Sequence, residues 1–229
     1  DLALLPPYGE HMVLQRDRPI RLWGQATPGE TVKVVFRGTQ RSTMADAQGR
    51  WLVALPAGPA GGPHALTVQG ANRLELSDVL LGDVWLCGGQ SNMEWALRDA
   101  ANAPAELAAA DHPRIRHVKV PRRAELRAIP DTVPLTWQVS TPATAGDFTA
   151  VGYHFARAVQ QRTGVPIGLV NASWGGSMLE TWLSPTAALA DPVHHIHQAF
   201  VGGGEAFLFG WGEGQGAGRG EELRLPGVG

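Results

Sequence analysis

The sequence predicts an α/β domain that follows an all-β, sandwich-like domain, and three observations support this fold class. Short β-patterned segments separated by turn residues occupy the chain up to Ser77. An apolar segment, 78–87, then leads into two glycines and a serine, as expected for a strand that is buried on both faces. Further along, a helix-like segment that ends at Gly164 precedes a short apolar strand, 165–170, which is the order typical of α/β proteins.

The composition indicates a folded protein and excludes several functional classes. The chain has 229 residues, of which 44% are hydrophobic and 17% are charged. The formal net charge is −2, so no basic excess favours a nucleic-acid partner. No apolar run approaches the roughly 18 residues of a membrane-spanning helix, and we expect no membrane insertion. Cys87 is the only cysteine, which excludes an intrachain disulfide and a cysteine-based zinc site.

The first predicted domain covers residues 1–77. Its segments are rich in β-branched and aromatic residues, and they recur about every 8–12 residues with turn signals between them. Asp46–Gly49, for example, is a four-residue turn with glycine at its last position. We find no catalytic constellation in this region and assign it a structural role. The predicted strands are 19–23, 31–36, 41–45, 50–55, 64–68 and 73–76.

A serine follows the apolar strand that opens the second region. Gly88 and Gly89 permit a sharp turn after this strand, Ser91 lies in the turn, and a helix is predicted to begin at Glu94. This arrangement would place the serine hydroxyl at the carboxyl edge of the sheet, where α/β proteins bind ligands. It differs from the G-x-S-x-G elbow, because Met93 stands where the second glycine belongs. From the pattern alone, Ser91 is equally well a nucleophile or a helix N-cap.

A second glycine-containing loop, 171–177, follows the strand 165–170. If both strands belong to one sheet, this loop and the serine turn face a single cleft. Gly175 and Gly176 would then offer backbone N–H groups to an anion. An ordinary strand-to-helix turn explains these two glycines equally well.

Two blocks of this sequence closely resemble the sialate O-acetylesterase family, which belongs to the SGNH hydrolases. They are GDVWLCGGQSNMEW at 82–95 and GVPIGLVNASWGGS at 164–177, and HMVLQR at 11–16 resembles the family's N-terminal β-domain. The resemblance extends from about Leu5 to Pro185. It implies a flavodoxin-like, three-layer SGNH hydrolase domain at 78–200.

The resemblance also implies the site residues. Ser91 takes the position of the nucleophile, while Gly89 and Gln90 stand where the usual Gly-Asp pair is found. Gly175 and Gly176 belong to the loop that helps to form the oxyanion site.

The implied reaction is hydrolysis of acetyl esters on sialic acid through an acetyl-serine intermediate, without a metal or a cofactor. The implied partner is O-acetylated sialic acid or a related acetylated glycan, and this substrate class favours a periplasmic or secreted location. Two alternatives remain open. The chain is another carbohydrate acetylesterase, such as a xylan acetylesterase, or it is a catalytically inactive fragment with at most glycan binding.

The sequence departs from the family pattern after about Asp191. SGNH enzymes supply the catalytic base from an Asp-x-x-His block near the end of the hydrolase domain, and Asp191 and His194 have this spacing. They precede the segment 211–222, which resembles an altered Gln-Gly-Glu block, so a solvated surface segment is the favoured interpretation. Eleven of the 29 glycines lie in 201–229, which we predict to be an irregular tail. We therefore expect an incomplete hydrolase domain, truncated or frame-shifted at the C-terminus.

Overall fold

Strands dominate the computed structural model, which describes residues 1–123, 133–178 and Trp182. Within these residues the strands are β1 (Ala3–Leu4), β2 (Val13–Gln15), β3 (Ile20–Gln25), β4 (Thr31–Phe36), β5 (Thr39–Met44), β6 (Arg50–Leu55), β7 (Gly61–Gln69), β8 (Arg73–Gly89), β9 (His112–Lys119), β10 (Trp137–Ser140) and β11 (Ile167–Ser173). The helices are α1 (Ser91–Glu94), α2 (Ala103–Ala108) and α3 (Ala150–Thr163), with two 3₁₀ turns at Leu97–Asp99 and Ala145–Asp147.

The strands predicted at 31–36 and 50–55 are confirmed as β4 and β6. Alternate residues of each strand are buried, because successive side chains of a strand point to opposite faces. In β6 the buried residues are Trp51, Val53 and Leu55. These side chains belong to a large apolar core that the strands of the first region share.

The predicted break between the strands 73–76 and 78–87 is wrong, since β8 continues through both segments. The polar residue Ser77 suggested a turn, but its groups find a partner far away in the sequence. Its backbone N–H donates to Glu10 Oε2 at 2.9 Å, and its hydroxyl donates to Glu10 Oε1 at 2.6 Å. The expected domain boundary after Ser77 therefore lies inside one strand, and the division into domains 1–77 and 78–200 stays a prediction.

β8 connects the antiparallel and the parallel parts of an eight-stranded sheet. Seven strands follow the order β10-β9-β11-β8-β7-β4-β5, and β2 also pairs with β8. The first part of β8 pairs antiparallel with β7, and its last seven residues pair parallel with β11, from Asp83 opposite Ile167 to Gly89 opposite Ser173. A separate three-stranded sheet has the order β1-β3-β6. The described residues 1–123 and 133–177 belong to one compact unit.

The two faces of the parallel strands are covered by different elements. Ile115, Ile167 and Leu169 pack on one face with Ala156 of α3. On the other face, Val118 and Val170 belong to the core that the N-terminal strands form. In the described residues, therefore, one face is covered by a helix and the other by strands.

A buried arginine joins three parts of this unit. Arg116 in β9 is 4% exposed and donates to both carboxylate oxygens of Asp78, at 2.8 and 3.1 Å. His11 Nδ1 lies 2.7 Å from the same carboxylate. The hydrogen bonds from Arg116, followed by the one from His11, lower the pKa of Asp78 and outweigh the opposite effect of burial. The Asp78 carboxylate of β8 is therefore linked to β9 through Arg116 and to the loop before β2 through His11.

Candidate active site

The two glycine-containing loops meet at the carboxyl edge of the parallel strands. Ser173 at the end of β11 lies opposite Gly89 at the end of β8, and the N–H of Trp174 donates to the Gly89 carbonyl at 2.9 Å. A Cβ atom at Gly175 would lie 3.5 Å from Ser91 Cα and 3.6 Å from Ser91 Cβ. The prediction that both loops reach one sheet edge is confirmed.

Ser91 is the first residue of α1, not its N-cap. The N-cap is Gln90, which makes no side-chain capping hydrogen bond. Gly89 makes the turn with φ +135°, a conformation that residues with a side chain rarely adopt. The helix begins at Ser91 and ends at Glu94, so the predicted start at Glu94 is wrong. Ser91 is solvent-exposed at the edge of the sheet.

Glu94 is a residue of the site that the sequence analysis did not single out. Its Oε2 accepts a hydrogen bond from the Gly175 N–H at 2.8 Å, and its Oε1 pairs with the guanidinium of Arg122. The side chain is 15% exposed. Burial raises the pKa of Glu94, but the bonds from Gly175 and Arg122 outweigh it, and the net pKa lies below the usual value. A carboxylate therefore holds the second loop against the serine turn.

The other residues predicted for the site have these positions. Gln90 is exposed beside Ser91. Gly176 has φ +80°, and a Cβ there would meet open space. The N–H of Gly175 already donates to Glu94, so an oxyanion that binds this group must displace the carboxylate. Asp191 and His194 lie outside the described residues.

None of the contacts given below for the five described histidines involves Ser91. The apolar surroundings of Cys87, which precedes the turn, raise its thiol pKa to about 11.

Among the described residues, no group of three or more His, Cys, Asp or Glu side chains could hold a metal ion. The histidine contacts are His11 with Asp78, His64 with Phe36, His112 and His154 with Tyr153, and His117 with Phe148.

Comparisons with known proteins identify similar chains. Residues 81–219 match the family model of a carbohydrate esterase, sialic acid-specific acetylesterase. The sialate O-acetylesterase of Rattus norvegicus is 36% identical over 200 residues, which cover 79% of this chain and 37% of that protein. The human sialate O-acetylesterase is 36% identical over 194 residues, with 76% and 37% covered. The chain thus spans less than two-fifths of these curated relatives.

A solved structure shares the fold. The crystal structure of a carbohydrate acetylesterase from Xanthomonas citri superposes with a TM-score of 0.80 at 45% sequence identity. The match covers 85% of this chain and 45% of that chain. The mixed sheet with few helices is therefore part of the architecture of a known carbohydrate acetylesterase.

Proposed function

Because the chain belongs to the family of sialic acid-specific carbohydrate acetylesterases, we propose that it carries the nucleophile of an esterase that removes acetyl groups from O-acetylated sialic acid. One observation supports this proposal above the others. The exposed Ser91 lies at the carboxyl edge of parallel strands, and the Gly175 loop lies beside it, since a Cβ at Gly175 would be in van der Waals contact with Ser91 Cα and Cβ at 3.5 and 3.6 Å. α/β sheets bind ligands at this edge.

In the proposed reaction, Ser91 Oγ attacks the carbonyl carbon of the acetyl ester while a base takes its proton. The sugar oxygen leaves with a proton as the alcohol, and water then hydrolyses the acetyl-serine to acetate. Gly89, Gln90 and Gly176 line the acyl oxygen, and Gly175 joins them when its N–H exchanges Glu94 Oε2 for that oxygen, while Glu94 Oε1 stays paired with Arg122. We assign this base to no described residue, and the weak candidate pair, Asp191 and His194, lies outside the described residues.

The finer architecture is part of the same proposal. We assign residues 78–200 to an SGNH-type, flavodoxin-like hydrolase domain with three layers, and residues 1–77 to a preceding sandwich-like β-domain. The irregular tail predicted at 201–229 lies outside the described residues. Parallel pairing of β11 with both β8 and β9, and α3 packed on one face of these strands, support this assignment.

Acetate release from O-acetylated sialic acid tests the function, with Ser91→Ala as the diagnostic variant. Loss of a nucleophile lowers the rate by a factor on the order of 10⁴ or more. The matched control is Ser42→Ala, the same substitution at an exposed position of β5. We expect Ser42→Ala to keep the rate of the parent chain and Ser91→Ala to lose it.

Acetylated xylan in the same assay distinguishes the substrate classes. A faster Ser91-dependent release from xylan than from sialic acid would assign the chain to the xylan acetylesterases. A folded chain that releases no acetate from either substrate would contradict the proposed activity.

A further inference from the structure

Three basic side chains lie at the end of β9, at the edge of the sheet where the site is built. Lys119 is the last residue of β9 and pairs with Asn171 of β11, just before the loop that carries Gly175. Arg122 and Arg123 follow three and four residues later, and all three residues are exposed. The whole chain has a net charge of −2, so this cationic edge is a local feature of the site.

Arg122 is attached directly to the site. Its Nη2 pairs with Glu94 Oε1, while Glu94 Oε2 accepts from the N–H of Gly175, in the loop beside Ser91. The Arg122 side chain is 50% exposed, whereas that of Glu94 is only 15% exposed. The ion pair with Glu94 therefore holds one edge of the Arg122 guanidinium, and the rest of the Arg122 side chain is accessible to solvent.

Two cations of the described residues, Arg122 and Lys119, act on the single Glu94 carboxylate. Lys119 also lies close enough to Glu94 to favour its ionised form. A guanidinium held in one orientation presents parallel N–H donors that match the two oxygens of a carboxylate.

We propose that Arg122, supported by Lys119, binds the carboxylate of an anionic sugar, so that the site selects acetylated sugar acids over neutral acetylated sugars. This inference rests on the proposed function, because it concerns the same site. Glu94 has a positioning role in it: the carboxylate orients the guanidinium and joins it to the loop beside the nucleophile. The alternative is that Arg122 only neutralises Glu94.

Binding measurements on the full chain separate these two roles without requiring turnover. Calorimetric titrations would use N-acetylneuraminic acid and its methyl ester, which lacks the negative charge. We expect the parent chain to bind the acid about tenfold more tightly than the ester, as is typical for a charge-assisted hydrogen bond. Arg122→Ala should abolish this preference by weakening binding of the acid alone. Arg122→Lys, which keeps the charge but loses the paired donors, should retain part of it.

The matched control is Arg114→Ala. Arg114 lies in β9 too, but near its amino end, where its guanidinium donates to the Gly164 carbonyl. This variant makes the same change of charge, but at the opposite end of β9, and it should keep the preference for the acid. Equal binding of acid and ester by the parent chain, or no binding of the acid, would overturn the inference. So would an equal loss for both ligands in Arg122→Ala.

Hydrolysis of 4-nitrophenyl acetate by the parent chain and by Ser91→Ala separates a failure of this inference from a failure of the proposed function. This substrate is neutral and reports the serine chemistry alone. Ser91-dependent hydrolysis without a preference for the acid would refute the role of Arg122 and leave the esterase intact. An Arg122-dependent preference without hydrolysis would support the carboxylate site and contradict the esterase.

Discussion

The buried imidazole of His117 should make the stability of this protein sensitive to mild acid. His117 lies in β9, is 1% exposed and stacks on Phe148 with ring centroids 4.3 Å apart. No residue that the structure describes offers a hydrogen-bond partner to its Nε2. Burial, with a smaller contribution from Lys119, lowers its pKa from 6.5 to about 3. The folded protein therefore keeps this ring neutral at pH values where an unfolded chain protonates it.

The sign and the size of the effect follow from proton linkage. Between pH 6.5 and pH 3 the unfolded chain binds a proton that the folded chain does not, so the free energy of unfolding decreases as the pH falls. With these two pKa values, the contribution of His117 destabilises the fold by about 2 kcal/mol more at pH 5 than at pH 7. That is a large share of the roughly 5–15 kcal/mol that stabilises a typical domain.

Urea unfolding at about pH 7 and pH 5 measures this contribution when the parent chain is compared with His117→Phe. The variant keeps an aromatic ring next to Phe148 but cannot titrate, so its loss of stability between the two pH values should be about 2 kcal/mol smaller. His154→Gln, at a half-buried histidine of α3, serves as the control and should behave like the parent chain. An equal pH dependence in His117→Phe and the parent chain would refute the assignment.

Two further predictions concern the strand that leads to Ser91. Gly82→Ala should destabilise the protein by about 1–3 kcal/mol, since its Cβ would lie 2.0 Å from the Pro166 carbonyl oxygen. Gly88→Ala, where a Cβ meets open space, should leave the urea midpoint nearly unchanged, and a smaller effect at Gly82 than at Gly88 would contradict the packing argument. Cys87 is buried with its pKa raised to about 11, so a thiol reagent at neutral pH should label it only after unfolding. Rapid labelling of the folded chain would show that this strand is open to solvent.

Features that depend on a short stretch of sequence could be predicted from the sequence. Runs of β-branched and aromatic residues between turn signals gave the bounds of β4 and β6, and the two glycines before Gln90 predicted the turn that exposes Ser91. The break at Ser77 was predicted wrongly because its partner, Glu10, is 67 residues away. A local pattern cannot show that a polar residue will be satisfied by a distant one.

Glu94 and Arg122 illustrate the same limit within the site. Glu94 lies three residues after Ser91, a spacing that places two helical residues on neighbouring positions of one face. That spacing could have drawn attention to its carboxylate. The pairing of Arg122 with Glu94 has no local signature, since the two residues are 28 positions apart. It depends on β9 and β8 ending at the same edge, which only the pairing of both strands with β11 establishes.

The register of β8 against β11 brings the serine turn and the Gly175 loop together in one site. Glycines inside the strands allow the close packing that this register requires. Gly82 lies against the Pro166 carbonyl, and a Cβ at Gly168 would lie 2.8 Å from Val13 Cβ. Any side chain at these points would push β11 away from its neighbours and move the Gly175 loop at its end. Such a displacement would lengthen the 2.8 Å hydrogen bond from the Gly175 N–H to Glu94 Oε2, which holds this loop beside the serine turn. Interior glycines far from the chemistry therefore help to place the Gly175 loop beside Ser91.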